Sequence, residues 1–288
     1  MVNSVALILS FNHPDLTERC VQSVQKYFTN SSILLVHNGS EIKVVQQLKQ
    51  KFPTIIHLEL DKNIGYAGGM NSGLDFFSHY FHQSWCLVVT NDTELVSFNP
   101  KVELSNADII APQIFFRSMK KLDSWGGWYS LKKGKLFHHK VLDSQVEDFD
   151  KLSFYVPGTA FFLHRQVLEK KFKFDESLFM FWEDVYLSFV LKTKGMILTR
   201  TPLIILKHGG GKTTKKNMHY TSYYYQRNRL RVAPKMTTSP RLKVILQIYI
   251  VLDLVLQILK KILLGDWKRG KKLALAIIHG LNIRNGEQ

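Results

Sequence analysis

Asp92 closes the run Trp85-Cys86-Leu87-Val88-Val89-Thr90-Asn91-Asp92-Thr93. The apolar part reads as a buried strand, and open α/β sheets bind ligands beyond the carboxyl ends of such strands. A carboxylate there can hold a hard divalent cation, and that cation can hold a diphosphate. The plain alternative is a turn, which Asx-Thr after a strand favours. Glu94 offers a second carboxylate two residues on. Glu183 and Asp184 follow the aromatic run Phe179-Met180-Phe181-Trp182. A carboxylate can take the proton of a reacting hydroxyl; adjacent acids also suit a helix start for dipole reasons alone. His208 follows an apolar stretch and precedes Gly209-Gly210-Gly211, a loop able to fold over a diphosphate. A structural histidine is the other reading.

These residues need elements to position them. Val5 to Asn12 reads as a buried strand with a polar end, followed after Pro14 by a helix carrying Leu16, Cys20, Val21 and Val24. Ile33 to Val36 is a second strand, running through His37 into the turn Asn38-Gly39-Ser40. Val44 to Phe52 reads as a helix, and Ile55 to Leu60 and Ile109 to Pro112 as strands. Residues 63 to 73 are a glycine-rich helix entry. There Gly65, Gly68 and Gly69 would let backbone approach a ligand, and the helix N-terminus faces negative charge. Neither the dinucleotide fingerprint nor a phosphate loop occurs; Gly211-Lys212-Thr213 lacks the glycine required where Leu206 stands. Strands alternating with helices over residues 1 to 112 imply a largely parallel sheet with crossover helices. Residues 113 to 155 lack periodicity and read as irregular, with an acidic patch at Glu147, Asp148 and Asp150. Phe154 to His164 reads as a strand broken at Pro157-Gly158, Val185 to Lys194 as a helix, and Ile197 to Leu206 as containing a strand.

Taken in order, these segments resemble the inverting family 2 glycosyltransferases. The likeness is greatest to a rhamnosyltransferase-like branch that builds bacterial surface polysaccharides, and it covers roughly residues 3 to 232. It implies the GT-A fold: an α/β, Rossmann-like, mostly parallel central sheet with flanking helices. It implies a nucleotide-sugar donor, dTDP-rhamnose or a UDP-sugar, and a saccharide or lipid-linked saccharide acceptor. Asp92 falls where the family's metal-binding acidic motif ends, with Thr90 at its first position, and His208 where a histidine closes the metal site. Mg²⁺ or Mn²⁺ suits such partly solvated, oxygen-rich coordination. Asp184 matches the family's general base, with Glu183 beside it contacting donor or acceptor. Ser10, Asn12 and Asn38 are placed to grip base and ribose, and Gly65, Gly68, Gly69, Asn71 and Asn91 complete the donor set. Val156 to Ala160 resembles the segment bordering the donor sugar. Tyr223, Arg227 and Asn228 resemble a Tyr-x-x-Arg-Asn run, in which Arg227 meets phosphate or pairs with a surface acid. The chain departs from the pattern at His37, where an acid is usual, at Trp182, where glycine is frequent, and at Tyr186.

The chain has 288 residues, 45% of them apolar, which suits one large domain or a domain with an appendage. Its first strand begins almost at once, without a basic-then-apolar leader, so the expectation is cytoplasmic. Cys20 and Cys86 lie in apolar contexts and read as buried thiols, with no zinc spacing. The net charge of +16 calls for an acidic partner. Basic residues thicken after residue 207, among them Lys212, Lys215 and Lys216, and cluster around an amphipathic tail. That argues for an anionic membrane surface and against nucleic acid. We divide the chain into a glycosyltransferase domain, 1–232, and a basic helical tail, 233–288. In the tail, Lys243, Gln247, Asp253, Gln257, Lys260 and Lys261 form one polar stripe on an otherwise apolar helix. A spanning helix of roughly 20 residues would lack that stripe. The pattern fits a helix lying in the interface, peripheral at the inner membrane face, or one that packs on the domain or builds a homo-oligomer. The competing function is a non-catalytic, membrane-associated nucleotide-sugar-binding protein. A nucleotidyltransferase would share fold and metal without explaining the Glu-Asp pair.

Overall fold

A computed structural model of the chain describes residues 4–29, 31–99, 107–130, 134–138, 152–209 and 218–281. Glu147, Asp148, Asp150, Gly210, Gly211, Lys212, Lys215 and Lys216 lie outside the described residues.

Strands β1 (Ser4–Ser10), β2 (Ser32–Asn38), β3 (Ile56–Leu60) and β4 (Trp85–Thr90) pair in parallel in the order β3-β2-β1-β4. Helices α1 (Pro14–Tyr27), α2 (Ile42–Lys51) and α3 (Gly65–Tyr80) make the crossovers. Both faces of β1, β2 and β4 are covered, and so their side chains alternate between two cores rather than between core and water, while the edge strand β3 stays partly exposed. Val5, Leu7 and Leu9 pack with Met70, Leu74 and Phe77 of α3. Ala6 and Ile8 pack with Cys20, Val21 and Val24 of α1. Both cysteines are free thiols in these cores.

Beyond β4 the parallel pattern gives way to a mixed sheet. β11 (Ala160–His164) lies antiparallel to β4 and to β6 (Ile109–Phe116). β12 (Leu198–His208) runs parallel to β6 and antiparallel to β5 (Thr93–Phe98). β6 continues past Pro112, and the register with β12 breaks between Arg200 and Ile205, opposite that proline. A residue without an N–H is tolerated at such an irregularity.

The stretch read as irregular contains short strands. β7 (Leu122–Ser124) pairs with β6, and β8 (Gly127–Ser130) pairs with β9 (Lys135–His138) and β10 (Leu152–Tyr155). Runs of three or four residues are too short to display a period. A short helix, α4 (Gln166–Glu169), and α5 (Glu183–Thr193) follow.

Helices α6 (Met218–Val232), α7 (Pro240–Leu263) and α8 (Trp267–Leu281) end the chain. Leu246, Ile250 and Leu254 of α7 and Leu273 of α8 are buried, and Ile250, Leu254 and Leu273 share a third core with Tyr129, Trp182 and Leu230. The middle of the polar stripe of α7 turns onto the protein, while Lys243 and Lys260 at its ends stay exposed. Asp253 Oδ2 lies 2.6 Å from Arg229 Nη1, and Gln257 bonds Gln226, both on α6. The outward face is instead apolar: Ile245, Ile248, Leu252, Leu256, Leu259 and Leu263 are all more than half exposed.

Candidate active site

β4 ends at Thr90, and Asp92 stands at the turn into β5. β12 pairs with β5 so that His208 lies opposite Thr93. That pairing brings together residues 116 positions apart in the chain: His208 Nε2 is 3.1 Å from Asp92 Oδ2. The other ring nitrogen, Nδ1, is 2.7 Å from Asp123 Oδ2 on β7. Burial pulls the His208 imidazole down, but hydrogen bonds to Asp123 and Asp92, and their charges, overcome it and raise it to about 9. A cation on Nε2 would compete with that proton, because a metal takes neutral imidazole. Asp123 would then accept from Nδ1–H and fix the ring, as carboxylates behind ligating histidines do. Sequence reading missed Asp123, since a lone acid in an aperiodic stretch carries no signal.

Two cavities, of about 440 and about 490 Å³, share Tyr66, Thr90, Asp92 and Met180 in their walls. The first is lined by Asn38, Asn63, Gly65, Asn91, Phe179, Tyr220 and Tyr224 among others. The second extends past His208 and Asp123 to Glu183 and Asp184. No Lys or Arg occurs among the described lining residues of either. Among the described lining residues, His208 is the basic group in contact with Asp92. This lining, with the paired oxygen and nitrogen donors of Asp92 and His208, fits a divalent cation shared between protein and phosphates. Among the described residues, no group of three or more His, Cys, Asp or Glu forms a cage by itself.

Asp184 opens α5. Its Oδ1 accepts from Val185 N–H and its Oδ2 from Gly158 N–H, both at 2.8 Å. The Gly158 carbonyl accepts from Tyr66 OH at 2.6 Å. A Cβ on Gly158 would stand 2.7 Å from that hydroxyl, so the close approach needs glycine. The Thr159 carbonyl accepts from Thr90 N–H, and Thr90 Oγ1 donates to Asp92 Oδ1 at 2.8 Å. Pro157-Gly158-Thr159 is thus a bridge from Asp184 to Asp92. Glu183 is 5% exposed. Burial and the neighbouring charge of Asp184 push its carboxyl well above the usual carboxylate range.

The segment before α5 has left-handed backbone at Phe179 (φ 62), Phe181 (φ 67) and Trp182 (φ 71). Such angles are uncommon for bulky residues and persist only where the surroundings impose them. Here the fully buried Asn228 imposes them, its Nδ2 donating at 2.8 Å to the carbonyls of Leu178, Met180 and Phe181. Arg227 Nη2 donates to the Ser177 and Leu178 carbonyls, and its Nε to Asn228 Oδ1, which fixes how the amide points.

Arg227 is therefore corrected from a phosphate contact to a buried clamp on this segment: it is 5% exposed and lines neither large cavity. Five other expected donor contacts also lie outside both cavities. Ser10 Oγ is buried against Thr17 Oγ1. Asn12 ties two loops, donating to Ser40 Oγ and accepting from Glu41 N–H. Asn71 holds Phe174 and Glu176. Gly68 and Gly69 serve packing: a Cβ on Gly69 would meet Leu9 at 2.8 Å, and one on Gly68 would meet Ile64 at 3.0 Å. Asn38, Gly65 and Asn91 do line the first cavity. Even so, Asn38 spends its amide on the Gly65 carbonyl and the Ile64 N–H. Gly65 (φ 80) is pressed against the Phe179 carbonyl, whose oxygen a Cβ at this position would meet at 2.4 Å. Glu94 is no ligand but is held by Arg19, Arg117 and Lys207. His37 is buried against His57 at 2.9 Å and lowered to about 4 by desolvation and by that neighbour. Of the aromatic lining, Phe11, Tyr66, Phe179, Tyr220 and Tyr224, the last two carry no sequence signal that separates them from core.

The profile of "Glycosyl transferase family 2" matches residues 5–170, more than half of the chain. No curated protein matches the sequence significantly. Similar solved structures include GalNAc-T7 with UDP, GalNAc and Mn²⁺ (13% identity, TM-score 0.55, covering 86% of this chain and 54% of that one). They include the mannosyltransferase PcManGT from Pyrobaculum calidifontis with GDP-Man and Mn²⁺ (10%, TM-score 0.55, 98% and 88%). A third is S. aureus TarS 1-349 (11%, TM-score 0.51, 82% and 70%). At these identities the likeness is one of fold, and the chain spans about half of the GalNAc-T7 structure.

Proposed function

The chain belongs to glycosyl transferase family 2, and from that premise we propose that it transfers a sugar, with inversion, from a nucleotide-diphosphate donor to an acceptor hydroxyl. The observation that carries this reading is the pair of cavities joined at Asp92, with Asp184 in the second. The donor's nucleotide occupies the first cavity, and its diphosphate lies beside Asp92. Asp92 and His208 hold Mg²⁺ or Mn²⁺, which when bound neutralises the leaving diphosphate. Both ions remain candidates for this chain; the solved GalNAc-T7 and PcManGT structures contain Mn²⁺. Asp184 takes the acceptor proton as the acceptor oxygen bonds to the anomeric carbon. The bond from that carbon to the phosphate oxygen breaks, and its electron pair leaves with the diphosphate. A carboxylate keeps lone pairs beyond the two N–H groups that orient it, so Asp184 can still accept that proton. The donors we favour are dTDP-rhamnose and UDP-sugars, and the setting is cell-surface polysaccharide synthesis. A thermal-shift and transfer panel of UDP-, GDP- and dTDP-sugars tests this reading. A true donor raises the melting temperature in a concentration-dependent way. No shift and no transfer with any of them, with Mn²⁺ present, defeats it.

The same reading includes a lipid-linked acceptor at the inner membrane face. α7 is long and apolar enough to cross a membrane, with a mean hydropathy of 2.1 and 17% of that window buried. Its inner stripe, however, is seated on the protein, which supports a helix lying along a surface. The apolar outer face is flanked by Lys260, Lys261, Lys268, Arg269, Lys271 and Lys272. Each such cation contributes about 1 kcal/mol near an anionic leaflet. We expect full-length protein to float with anionic liposomes at low salt. Leu252→Glu with Leu256→Glu, both on the outer face, should abolish flotation without touching the core. Failure of the native chain to float makes this face a contact between copies, which sedimentation would then reveal as a dimer.

A further inference from the structure

The far end of the second cavity carries chemistry that base catalysis leaves unused. Trp182 is 1% exposed and Glu183 5% exposed, and both line this cavity. Trp182 Nε1 and Glu183 Oε2 are buried atoms with no hydrogen-bond partner among the described residues. Buried polar groups are nearly always paired, so two such atoms on consecutive residues lining one cavity call for an explanation. One is an obligate donor, the other a carboxyl oxygen, and together they match a group that both donates and accepts. Hydroxyls do both. Trp182 also sits at φ 71, where glycine would be free of strain. The backbone bears a cost to keep an indole at this position.

The rest of the wall narrows the ligand. Tyr155, Phe181 and Tyr225 give it flat apolar faces, while Asp92, Asp123, Glu183 and Asp184 supply acids. No Lys or Arg lies among the described lining residues. These four acids outnumber His208, the one basic side chain among the described lining residues, which is already bonded to Asp92 and Asp123, so a phosphate or carboxylate would meet a net charge of its own sign. A polyhydroxy ring without charge would place its face on the aromatics and its hydroxyls on the polar atoms.

We infer that this end of the cavity is an acceptor subsite for a neutral sugar ring, in which the Trp182 indole N–H and the Glu183 carboxyl select hydroxyls next to the one that meets Asp184. The inference rests on the glycosyltransferase reading above. Burial and the neighbouring charge of Asp184 both favour the neutral form of the Glu183 carboxyl, which can donate as well as accept.

Saturation-transfer NMR on the full-length chain tests it, using the methyl glycosides of glucose, galactose, mannose and rhamnose with methyl glucuronide and methyl galacturonide as charged counterparts. At least one neutral glycoside should bind and the uronides should not. Trp182→Phe keeps an aromatic ring and removes the donor; Glu183→Met keeps about the same length and removes both hydrogen-bonding oxygens. Each should weaken glycoside binding by about 3- to 10-fold, with the donor-induced thermal shift unchanged. The donor shift also reports that a variant is folded, and Glu183→Gln, whose amide still donates and accepts, should bind the glycosides like the native chain. Uronides binding as well as neutral glycosides, neutral glycosides failing to bind, or Trp182→Phe and Glu183→Met both binding them like the native chain would overturn the subsite. In those cases a surviving donor shift and transfer activity leave the glycosyltransferase reading intact; loss of donor binding as well marks failure of that reading itself.

Discussion

Asp184→Asn lowers turnover by about 10²–10⁴-fold, the range expected when a general base is removed. The amide keeps the size of the carboxylate but cannot take a proton. It also turns a donor toward one of two backbone donors, because Asp184 accepts from both Gly158 N–H and Val185 N–H. One of those bonds is lost, at a local cost of about 1–3 kcal/mol. The first cavity contains neither residue 184 nor its bonded neighbours, so the donor-induced thermal shift persists while kcat collapses. Single-turnover measurements at saturating donor check this. Near-normal turnover in the variant would reduce Asp184 to a helix-start residue.

Asp92→Ala has an effect of similar size through a different cause. With Asp92 gone, His208 keeps Asp123 but loses its oxygen partner at the cavity junction. The diphosphate then leaves without its counter-charge, and removing one such stabilising group typically costs about 10²–10³-fold. Mn²⁺ binding followed by electron paramagnetic resonance gives a readout independent of turnover: the variant should bind Mn²⁺ far more weakly than the native chain. Excess chelator should silence the native enzyme. Full activity in chelator, or unaltered Mn²⁺ binding by the variant, excludes Asp92 as a ligand.

What local pattern determined was the set of strand ends. A buried strand is visible as an apolar run, and in parallel pairing every such run delivers its last residues to one edge of the sheet. Asp92, Asn38 and Asn91 were legible for that reason, and the acids of α5 because a helix start has its own chemistry. The two-sided burial of β1, β2 and β4 was legible too, in their unbroken apolar character.

Tertiary structure decided which polar side chains serve ligand and which serve backbone. Asn71, Asn228 and Arg227 carry the same donors whether they hold a nucleotide or a carbonyl. Only the path of residues 174 to 182, brought over from far along the chain, assigns them to carbonyls. The antiparallel pairing that sets His208 on Asp92, and the short β7 that sets Asp123 behind it, are likewise contacts between distant segments. The direction of the α7 stripe has the same origin. Periodicity defines two faces of a helix, but Arg229 and Gln226 on another helix determine that Asp253 and Gln257 turn inward. A sequence specifies side-chain chemistry and local period; partners separated by scores of residues are chosen by packing, where the same hydrogen bond is available to many and only one geometry buries it satisfied.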